Sequence, residues 1–409
     1  MNEGWRKVRL GDVCESIQAG LIRKANEVNI VEANIPYIKM DCLGNSSNLI
    51  LRNIVYISAS KEEIKKYNLK DKDILFNVRN SLELVGKVAI FKSEYPIALY
   101  NHMLVRLRLN QLIISPHFLI QYFISGEFKR EIELIKKGTT SVAAIYQGDI
   151  EKLQIPLPPL EEQKRIANDL DYRLNEVEKA KQATLEQLEA ADALWKAYLQ
   201  EAFQDNEKWE KVKLGDVLLF IGSGVTPLGG HSVYSNDGIL FIRSQNVLWG
   251  KNDFSDAVFL PQETHKNMQR SVVLKNDVLL NITGASIGRC SIYDNNEEAN
   301  VNQHVTILRT NKNKLYELFL MYCIISPIIQ QQITDCQAGG TRQALNFLQI
   351  KNFQIPLPPL EEQKRIANYL QEKLAQVETL KQKLKEQLGV VEVLPQAYLR
   401  EVFGEDKKD

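Results

Sequence analysis

Polar side chains that could recognise the edges of nucleic-acid bases occur at two matched places in the chain. Arg243, Gln245 and Asn246 follow the apolar run "GILFI", and Lys39 and Asp41 follow the similar run "IPYI". Arginine forms bidentate hydrogen bonds with guanine, and asparagine or glutamine forms them with adenine. These side chains are therefore candidate DNA contacts, although solvated loops remain an equally good interpretation of any single one.

Two further pairs of polar segments show the same matching. The segment "NVRNS" parallels "NITGAS", and "GTTSVAAIYQ" parallels "GGTRQALN". Small hydroxyl side chains and glycine turns suit contacts with phosphate. Their concentration at matched places favours DNA recognition over solvated loops. The candidate residues in these segments are Asn77, Arg79, Asn80, Ser81, Thr139, Thr140, Thr283, Ser286, Thr341, Arg342, Gln343 and Asn346.

Several motifs for catalysis are missing from the sequence. It contains no GxxxxGK[ST] or HExxH pattern, no spaced Cys/His ligand set and no Asn-Pro-Pro-aromatic run. His102 and His304 each follow an amide residue, and either a ligand contact or a structural role would explain them. Glu161, Glu162 and Lys164 crudely resemble a nuclease triad, but solvated charges explain them better. We expect no catalytic residues and no metal site.

The composition is that of an ordinary globular chain of 409 residues with a net charge of zero. Residues 1–160 carry 22 Lys and Arg against 17 Asp and Glu, whereas residues 161–203 carry 6 against 10. A phosphate-facing surface on the first segment is therefore permitted but not required. No apolar window has the length of a membrane span, and the N-terminus lacks an apolar signal core. Five scattered cysteines predict free thiols in a reducing cytoplasm.

The chain contains two copies of one plan. "WRKVRLGDV" at residues 5–13 matches "WEKVKLGDV" at residues 209–217. The string "QIPLPPLEEQKRIAN" occurs without change at residues 154–168 and again at residues 354–368. Upstream of each string lie short strand-like runs with a few short helices, which predict a compact α+β domain. The chain is therefore a duplicated unit of domain plus helix.

The repeated string predicts a rigid joint between each domain and the helix that follows. Its prolines cannot lie inside a helix, whereas the leucine and two glutamates after them suit a first helical turn. The alternative, a proline-rich ligand for an SH3-like partner, is less favoured because both copies stand at equivalent domain exits. The joint residues are Pro156, Pro158, Pro159 and Leu160, and Pro356, Pro358, Pro359 and Leu360.

A long helix with an apolar seam is predicted after each joint. The seam repeats at spacings of three and four, as in coiled coils. Gly389 and Pro395 should bend or loosen the second helix near its end. Antiparallel packing of the two seams would bring the C-terminus near Trp5. The seam includes Leu160, Ala167, Leu170, Leu174, Val177, Thr184, Leu188, Ala191, Trp195 and Tyr198, then Leu360, Ala367, Leu370, Leu374, Val377, Leu384, Leu388, Val391 and Tyr398.

The double "IPLPPLEEQKRIA", each copy followed by a long helix, and the "W…KVxLGDV" domain starts resemble the DNA-specificity (S) subunits of Type I restriction-modification systems. The resemblance covers essentially the whole chain and implies an α+β fold. Two similar target recognition domains would be separated by two long antiparallel coiled-coil helices in a pseudo-two-fold repeat. The implied boundaries are 1–154 and 205–354 for the domains, and 155–204 and 355–409 for the joints and helices.

The resemblance also implies a function without catalysis. Each domain would recognise half of a bipartite site in double-stranded DNA. The helices would set the spacer and dock two methyltransferase (M) subunits through the joints and through Leu174, Leu188, Leu374 and Leu388. S-adenosylmethionine, ATP and Mg are expected on partner subunits, including the restriction (R) subunits, and no cofactor is expected on this chain. "TRQALN" matches the family's polar turn before the second joint, whereas "SVAAIY" departs from it.

Three other interpretations remain open from the residues alone. A protein-interaction scaffold would use the helices and never contact DNA, so alanine at Arg243, Gln245, Arg342 and Gln343 would change nothing. A self-contained nuclease or methylase would cut DNA or transfer methyl groups as a purified single chain. A specificity partner in a methylation-only or Type II-like assembly has the same sequence features.

Overall fold

The chain folds into two compact units in a computed structural model. Unit 1 comprises residues 1–184 and 387–409, and unit 2 comprises residues 185–386. The structure describes residues 5–29, 33–44, 47–92, 95–138, 142–204, 206–227, 233–235, 237–338 and 344–404. Each unit combines one α+β domain with segments of both long helices, so the units do not coincide with a simple division of the sequence into halves.

The first domain begins and ends with strands. Its strands are β1 (Arg6–Arg9), β2 (Cys14–Ala19), β3 (Ile35–Ile38), β4 (Val55–Ile57), β5 (Ile74–Asn77), β6 (Arg79–Asn80), β7 (Val88–Ile90), β8 (Leu99–Tyr100), β9 (Leu104–Leu109), β10 (Lys137–Gly138), β11 (Ala143–Ala144) and β12 (Gln154–Leu157). Its helices are α1 (Lys61–Tyr67), α2 (Pro116–Phe123), α3 (Gly126–Ile135) and α4 (Gln147–Lys152), and the long helix α5 (Leu160–Ala202) follows.

The second domain has a similar element order. Its strands are β13 (Lys211–Lys213), β14 (Leu218–Ser223), β15 (Ile239–Ile242), β16 (Val258–Leu260), β17 (Val272–Val273), β18 (Val278–Asn281), β19 (Cys290–Ile292), β20 (Ala299–Val301), β21 (Val305–Thr310) and β22 (Gln354–Pro356). Its helices are α6 (Gln262–Asn267), α7 (Glu317–Ile325), α8 (Pro327–Gln337) and α9 (Phe347–Lys351), and the long helix α10 (Leu360–Phe403) follows.

The two domains are built on the same pair of sheets. An antiparallel sheet has the order β2-β9-β5-β7 in the first domain and β14-β21-β18-β19 in the second. A mixed sheet has the order β4-β3-β8 in the first and β16-β15-β20-β17 in the second. Each mixed sheet contains one parallel pair at matched positions. The pair is β3 with β8 in the first domain and β15 with β20 in the second. The predicted duplication of an α+β domain is therefore confirmed.

The repeated string forms a strand that pairs with the start of its own domain. Val8 lies opposite Ile155 in an antiparallel pair, and Val212 lies opposite Ile355 in the second copy. Pro156 and Pro356 fit in these strands because, among the described residues, each sheet consists of two strands. Each strand therefore has an open edge, where the missing proline N–H costs no hydrogen bond. The two helices begin at Leu160 and Leu360, directly after a proline. The predicted sequence of extended segment, stop and helix is confirmed in both copies.

A buried glutamine clamps each joint to its domain. The Gln163 side chain is fully buried, accepts a hydrogen bond from Ser115 N at 2.8 Å and donates to Pro158 O at 2.8 Å and Ile113 O at 3.1 Å. Gln363 makes the equivalent three bonds to Tyr316 N, Pro358 O and Lys314 O. Because a shorter or acidic side chain could not make all three bonds, this clamp gives a physical reason for an unchanged glutamine.

The two long helices run antiparallel within each unit. In unit 1, Arg173 pairs with Glu401 at 3.1 Å and Lys181 pairs with Glu392 at 3.3 Å. Residue numbers increase along α5 while those of the partners on α10 decrease, so the helices are antiparallel. In unit 2, Lys381 pairs with Asp192 at 2.7 Å. A cation also lies over a tyrosine ring in each unit, with Arg173 over Tyr398 and Lys373 over Tyr198. The predicted antiparallel pairing of the seams is thereby confirmed.

Burial along the helices follows the predicted seam with small differences. Ala167, Leu170, Val177, Thr184 and Ala191 are buried on α5, as are their counterparts on α10. Leu199 and Leu399 are buried, whereas the predicted Tyr198 and Tyr398 are half-buried. The seam therefore shifts by one residue near each helix end. Helix α10 continues through Gly389 and Pro395 to Phe403 and is not broken there.

Candidate nucleic-acid interface

In the first domain two separate candidate segments form one small sheet. Strand β6, which contains Arg79 and Asn80, pairs with β11, and β11 pairs with β10. Arg79 is exposed, and Asn80 and Ser81 are half-buried. Thr139 and Thr140 stand between β10 and β11 and lie outside the described residues. The fold thus brings together "NVRNS" and the flanks of "GTTSVAAIYQ", which lie some sixty positions apart in the chain.

The second domain joins the corresponding segments in the same way. Thr283 forms an antiparallel bridge with Ala344, and Leu345 N donates to Ile282 O at 2.9 Å. Ser286 Oγ donates to Thr283 O at 3.4 Å. Thr341, Arg342 and Gln343 precede the bridge and lie outside the described residues. The matched pairing supports the interpretation of these segments as one surface in each domain.

The turn after β15 lies beside the surface formed by the bridge between Thr283 and Ala344. It holds Arg243, Gln245 and Asn246, and the fully buried Asn281 donates from Nδ2 to Ser244 O at 2.8 Å and Val247 O at 3.2 Å. Asn281 ends β18, two residues before Thr283. The amide therefore ties the turn to the end of the neighbouring strand.

The equivalent turn of the first domain has the same backbone support with different side chains. Lys39 N donates to Cys42 Sγ at 3.4 Å, as Arg243 N donates to Asn246 Oδ1 at 2.9 Å. Lys39 Nζ lies 3.6 Å from Asp41 Oδ2. A cavity of about 350 Å³ is lined by both Asp41 and Asn80, so this turn also lies next to the β6 segment. The two turns thus share the same backbone N–H hydrogen bond but carry different polar side chains.

Three of the candidate asparagines form hydrogen bonds within the fold, and for Asn77 and Asn246 burial corrects the expectation of a base contact. Asn77 and Asn246 are fully buried. Asn77 donates to Leu84 O at 3.2 Å, and Asn246 donates to Asp253 O at 2.9 Å and Asp256 Oδ1 at 2.8 Å. Asn346 is exposed, but its Oδ1 caps α9 by accepting from Gln349 N at 2.9 Å. A polar residue after a strand often supports the backbone instead of facing solvent.

The two matched histidines have different surroundings. His304 Nδ1 lies 2.6 Å from Thr283 Oγ1, and its Nε2 lies 3.1 Å from Gln303 Nε2. His102 is half-buried, and its Nδ1 has no hydrogen-bond partner among the described residues. Burial lowers the pKa of His102, and the positive charge of Arg79 lowers it further. Burial and the Arg79 charge thus both favour the neutral form of His102, whose Nδ1 is unpaired among the described residues.

Asp256 and Thr226 also contact the candidate residues of the second domain or their neighbours, and neither was predicted as a DNA contact. Asp256 accepts hydrogen bonds from the Gln245 and Asn246 side chains, and Thr226 donates to Gln303 Oε1. Asp256 stands ten positions beyond the turn, and nothing in its own neighbourhood distinguishes it from a solvated aspartate. Contacts made only through the tertiary fold leave no local signal.

The predicted docking residues prove to belong mainly to the joints and helix seams. Pro156, Pro158, Pro356 and Pro358 are buried, and Leu374 is buried in the core of unit 2. Pro159 and Pro359 are exposed, and Leu160, Leu174, Leu188, Leu360 and Leu388 are half-buried. Large apolar side chains outside the seam are more exposed and so more accessible to a partner. Their positions off the seam spacing are the sequence signal that identifies them. They are Tyr172, Leu185, Leu194, Leu380, Val390 and Val393.

Other residues singled out in the sequence form exposed ion pairs or are free thiols. Glu161 and Lys164 form an exposed ion pair at 2.7 Å, as do Glu361 and Lys364 at 2.8 Å. All five cysteines are free. Across the described ranges no group of three or more His, Cys, Asp or Glu is placed to hold a metal ion. No helix in the described part of the chain is both long and apolar enough to cross a membrane.

Solved structures with similar folds cover almost the whole chain. A chain from a structure on complex assembly and conformational transition of the type I R-M system superposes with a TM-score of 0.75 at 23% identity, covering 99% of both chains. The HsdS subunit from Thermoanaerobacter tengcongensis gives a TM-score of 0.62 at 23% identity, covering 99% of this chain and 98% of that one. The predicted fold class is thereby confirmed.

Sequence relatives and a family model agree with the fold. The chain is 27% identical to the type I restriction enzyme MjaVIII specificity subunit of Methanocaldococcus jannaschii, over 94% of this chain and 89% of that protein. It is 25% identical to the EcoBI specificity subunit of Escherichia coli, over 98% and 86%. The model for the Type I restriction modification DNA specificity domain matches residues 2–187 and 206–389. The chain therefore belongs to the Type I restriction-modification specificity family, which confirms the prediction of a specificity subunit rather than an enzyme.

Proposed function

We propose that this chain recognises a bipartite, asymmetric site in double-stranded DNA, with each α+β domain contacting one half. The observation that carries this proposal is the presence of different polar groups on one duplicated frame. Arg243 and Gln245 stand where the first domain has Lys39 and Asp41, although both turns keep the same backbone support. Unequal side chains on equal frames favour two different half-sites.

The two long helices act in this proposal as the ruler between the half-sites. Each joint is clamped by a buried glutamine, so a helix cannot pivot freely on its domain. A helix of 43 or 44 residues is about 65 Å long at 1.5 Å per residue. Ion pairs and cation–π contacts between the helices recur in both units, which supports a stiff pair.

Two methyltransferase subunits dock on the helices in this proposal, and restriction subunits join the same complex. The exposed apolar side chains Tyr172, Leu185, Leu380 and Val390 offer contact area for such partners. S-adenosylmethionine, ATP and Mg would be bound by those partners in the cytoplasm. Because the net charge of this chain is zero, the isolated chain should neutralise few phosphates and bind DNA weakly.

The experiment that tests the proposal is genome-wide mapping of adenine methylation in the host, with and without this chain. The proposal expects a motif of two different short sequences separated by a fixed spacer, lost when the chain is deleted. Methylation unchanged by the deletion would contradict it. Tight, sequence-specific binding by the lone chain in a mobility-shift assay would contradict the expectation of weak binding.

A further inference from the structure

Three side chains of the second domain converge on a single carboxylate. Asn246 Nδ2 donates to Asp256 Oδ1 at 2.8 Å, and Gln245 Nε2 donates to Asp256 Oδ2. Arg243 Nη2 donates to Asp256 O at 2.5 Å and lies 3.4 Å from Oδ2. Both oxygens of the carboxylate are therefore engaged, one from the interior and one from the surface.

Burial differs among the members of this cluster in a way that suits positioning. Asn246 is fully buried, so it fixes Oδ1 of Asp256 from inside the domain. The side chains of Asp256 and Arg243 are 55% and 16% exposed, and Gln245 is exposed. A buried amide thus orients a surface carboxylate, and the carboxylate in turn holds an arginine and a glutamine at the rim of the turn.

Hydrogen-bonding groups remain for a ligand after these contacts. A guanidinium has five N–H donors; in Arg243 Asp256 engages Nη2, Nε is buried without a partner among the described residues, and Nη1 remains for a ligand. The carbonyl oxygen of Gln245 and its second amide hydrogen form no hydrogen bond with the described residues. Arginine and glutamine are the side chains that form bidentate bonds with guanine and adenine, respectively.

The first domain lacks this arrangement, which makes it an internal control. There the carboxylate beside the cation is Asp41, which belongs to the same turn as Lys39. Asn53 donates to the backbone oxygen of Asp41 at 2.6 Å and not to its carboxylate. Cys42 occupies the place of Asn246, and its buried thiol reaches Asp41 Oδ1 only at 3.9 Å, a weak contact where the second domain has an amide hydrogen bond of 2.8 Å.

Building on the proposed function, we propose that Asp256 is a positioning residue for the second half-site, holding Arg243 and Gln245 in one arrangement for contact with bases. A long side chain that is already held loses less rotamer freedom on binding, and bidentate contacts tolerate little misplacement. The Asp256 carboxylate contacts the two recognition side chains and need not contact DNA itself.

The test compares Asp256→Asn, Asp256→Ala and the control Asp237→Asn, an exposed aspartate of the same domain. Each variant replaces the host copy, and methylated sites are mapped from the intact complex. Melting temperatures of the purified chains are measured alongside. We expect both Asp256 variants to relax the second half-site on the order of ten-fold at one or more bases. The first half-site, the spacer and the melting temperature should stay unchanged, and Asp237→Asn should match the wild type.

A double variant separates positioning from an independent contribution. If Asp256 acts through Arg243, adding Asp256→Asn to Arg243→Ala should relax the base contacted by Arg243 no further than Arg243→Ala alone. Asp256→Asn keeps an acceptor for Asn246 and provides the comparison if Asp256→Ala does not fold.

Two results would overturn this inference while leaving the proposed function intact. One is an unchanged second half-site in Asp256→Asn. The other is a uniform loss of methylation at both half-sites with a lowered melting temperature, which would make Asp256 a folding residue only. A wild-type complex with no bipartite motif would instead overturn the proposed function, and this inference with it.

Discussion

The indole ring of Trp5 lies 6.4 Å from the ring of Phe403, measured between centroids, although 398 positions separate them in the chain. Phe403 is fully buried and also contacts Phe118 at 5.5 Å and Tyr122 at 5.4 Å. In unit 2, Phe203 contacts Phe319 at 5.5 Å. The core of each unit is thus completed by the end of the helix that starts in the other copy, and the C-terminal helix end lies near Trp5 as predicted.

Removing the Phe403 ring should therefore weaken unit 1 selectively. We expect Phe403→Ala to cost about 3–5 kcal/mol, because a buried aromatic ring is lost and a cavity remains. Hydrogen exchange followed by mass spectrometry separates peptides of the two units. Phe203→Ala is the matched control and should weaken unit 2 instead. Equal protection of both units in Phe403→Ala would contradict the assignment of the helix end to the first core.

Replacing the buried clamp residue should loosen the first joint. Gln163→Ala leaves one N–H and two carbonyl groups without their partner, so we expect a loss of about 2–4 kcal/mol in free energy of unfolding. Gln163→Glu keeps the shape but cannot donate to either carbonyl when ionised, and it should be at least as harmful. Urea denaturation measures both, with exposed Gln200→Ala as the control. A cost no greater than that of Gln200→Ala would refute the clamp.

Thiol reactivity should follow burial. Burial raises the pKa of Cys42 from 9.0 to about 11, and it also raises the pKa of Cys290 and Cys323. At pH 8 the Cys42 thiolate should be about a hundred-fold rarer than in an open thiol, so alkylation should be slow until the chain unfolds. Cys14 and Cys336 are both half-buried, but burial raises the pKa of Cys14 to about 12, so Cys336 should react first, and mass spectrometry of labelled peptides identifies the order. Labelling of Cys290 as fast as Cys336 would be inconsistent with the packed core.

The same shift gives a pH dependence of stability with a definite sign. The folded state disfavours the thiolate, so its Cys42 pKa lies above that of the unfolded chain. The contribution of the protonated Cys42 thiol to the free energy of unfolding is complete below pH 9 and is lost as pH rises from 9 towards 11. Denaturation midpoints between pH 8 and pH 11 should fall less in Cys42→Ala than in the wild type, after allowance for the cost of the cavity. An identical fall in both would contradict the assignment.

The exposed Arg79 should contribute to the first half-site and not to the second. We expect Arg79→Ala to relax the first half-site on the order of ten-fold, since the side chain lies on the candidate sheet of the first domain. Thr283→Val is the corresponding change in the second domain. Binding of the complex to both half-sites is compared at several salt concentrations. A uniform loss with a salt slope reduced by about one would make Arg79 a phosphate contact instead, and no change would remove it from the interface.

Local and periodic features of the chain were predictable from the sequence. The prolines before Leu160 and Leu360 set the helix starts, and spacings of three and four marked the buried seam. Duplication also identified which segments correspond, because a repeated string can be aligned without any structure. These features depend on neighbours in the chain.

Side-chain roles that depend on the tertiary fold were not predictable. Asn77 ends a strand and Asn246 follows one, and each has an exposed residue nearby, yet both are fully buried and bonded to backbone carbonyl groups. Gln163 stands among charged residues at a helix start, but it is the buried clamp of the joint. Asp256 gains its importance only when Arg243 and Gln245 fold against it.

Shortening both helices together tests the ruler most directly. Deleting residues 178–184 and 389–395 removes one heptad from each helix in facing positions, since Lys181 pairs with Glu392. Each helix loses about 10 Å, roughly three base pairs of DNA. Methylation mapping in the host should then show the same two half-sites with a spacer about three base pairs shorter, or no modification if the new helical phase cannot be accommodated. Methylation at the original spacer would contradict the central claim that these helices set the distance.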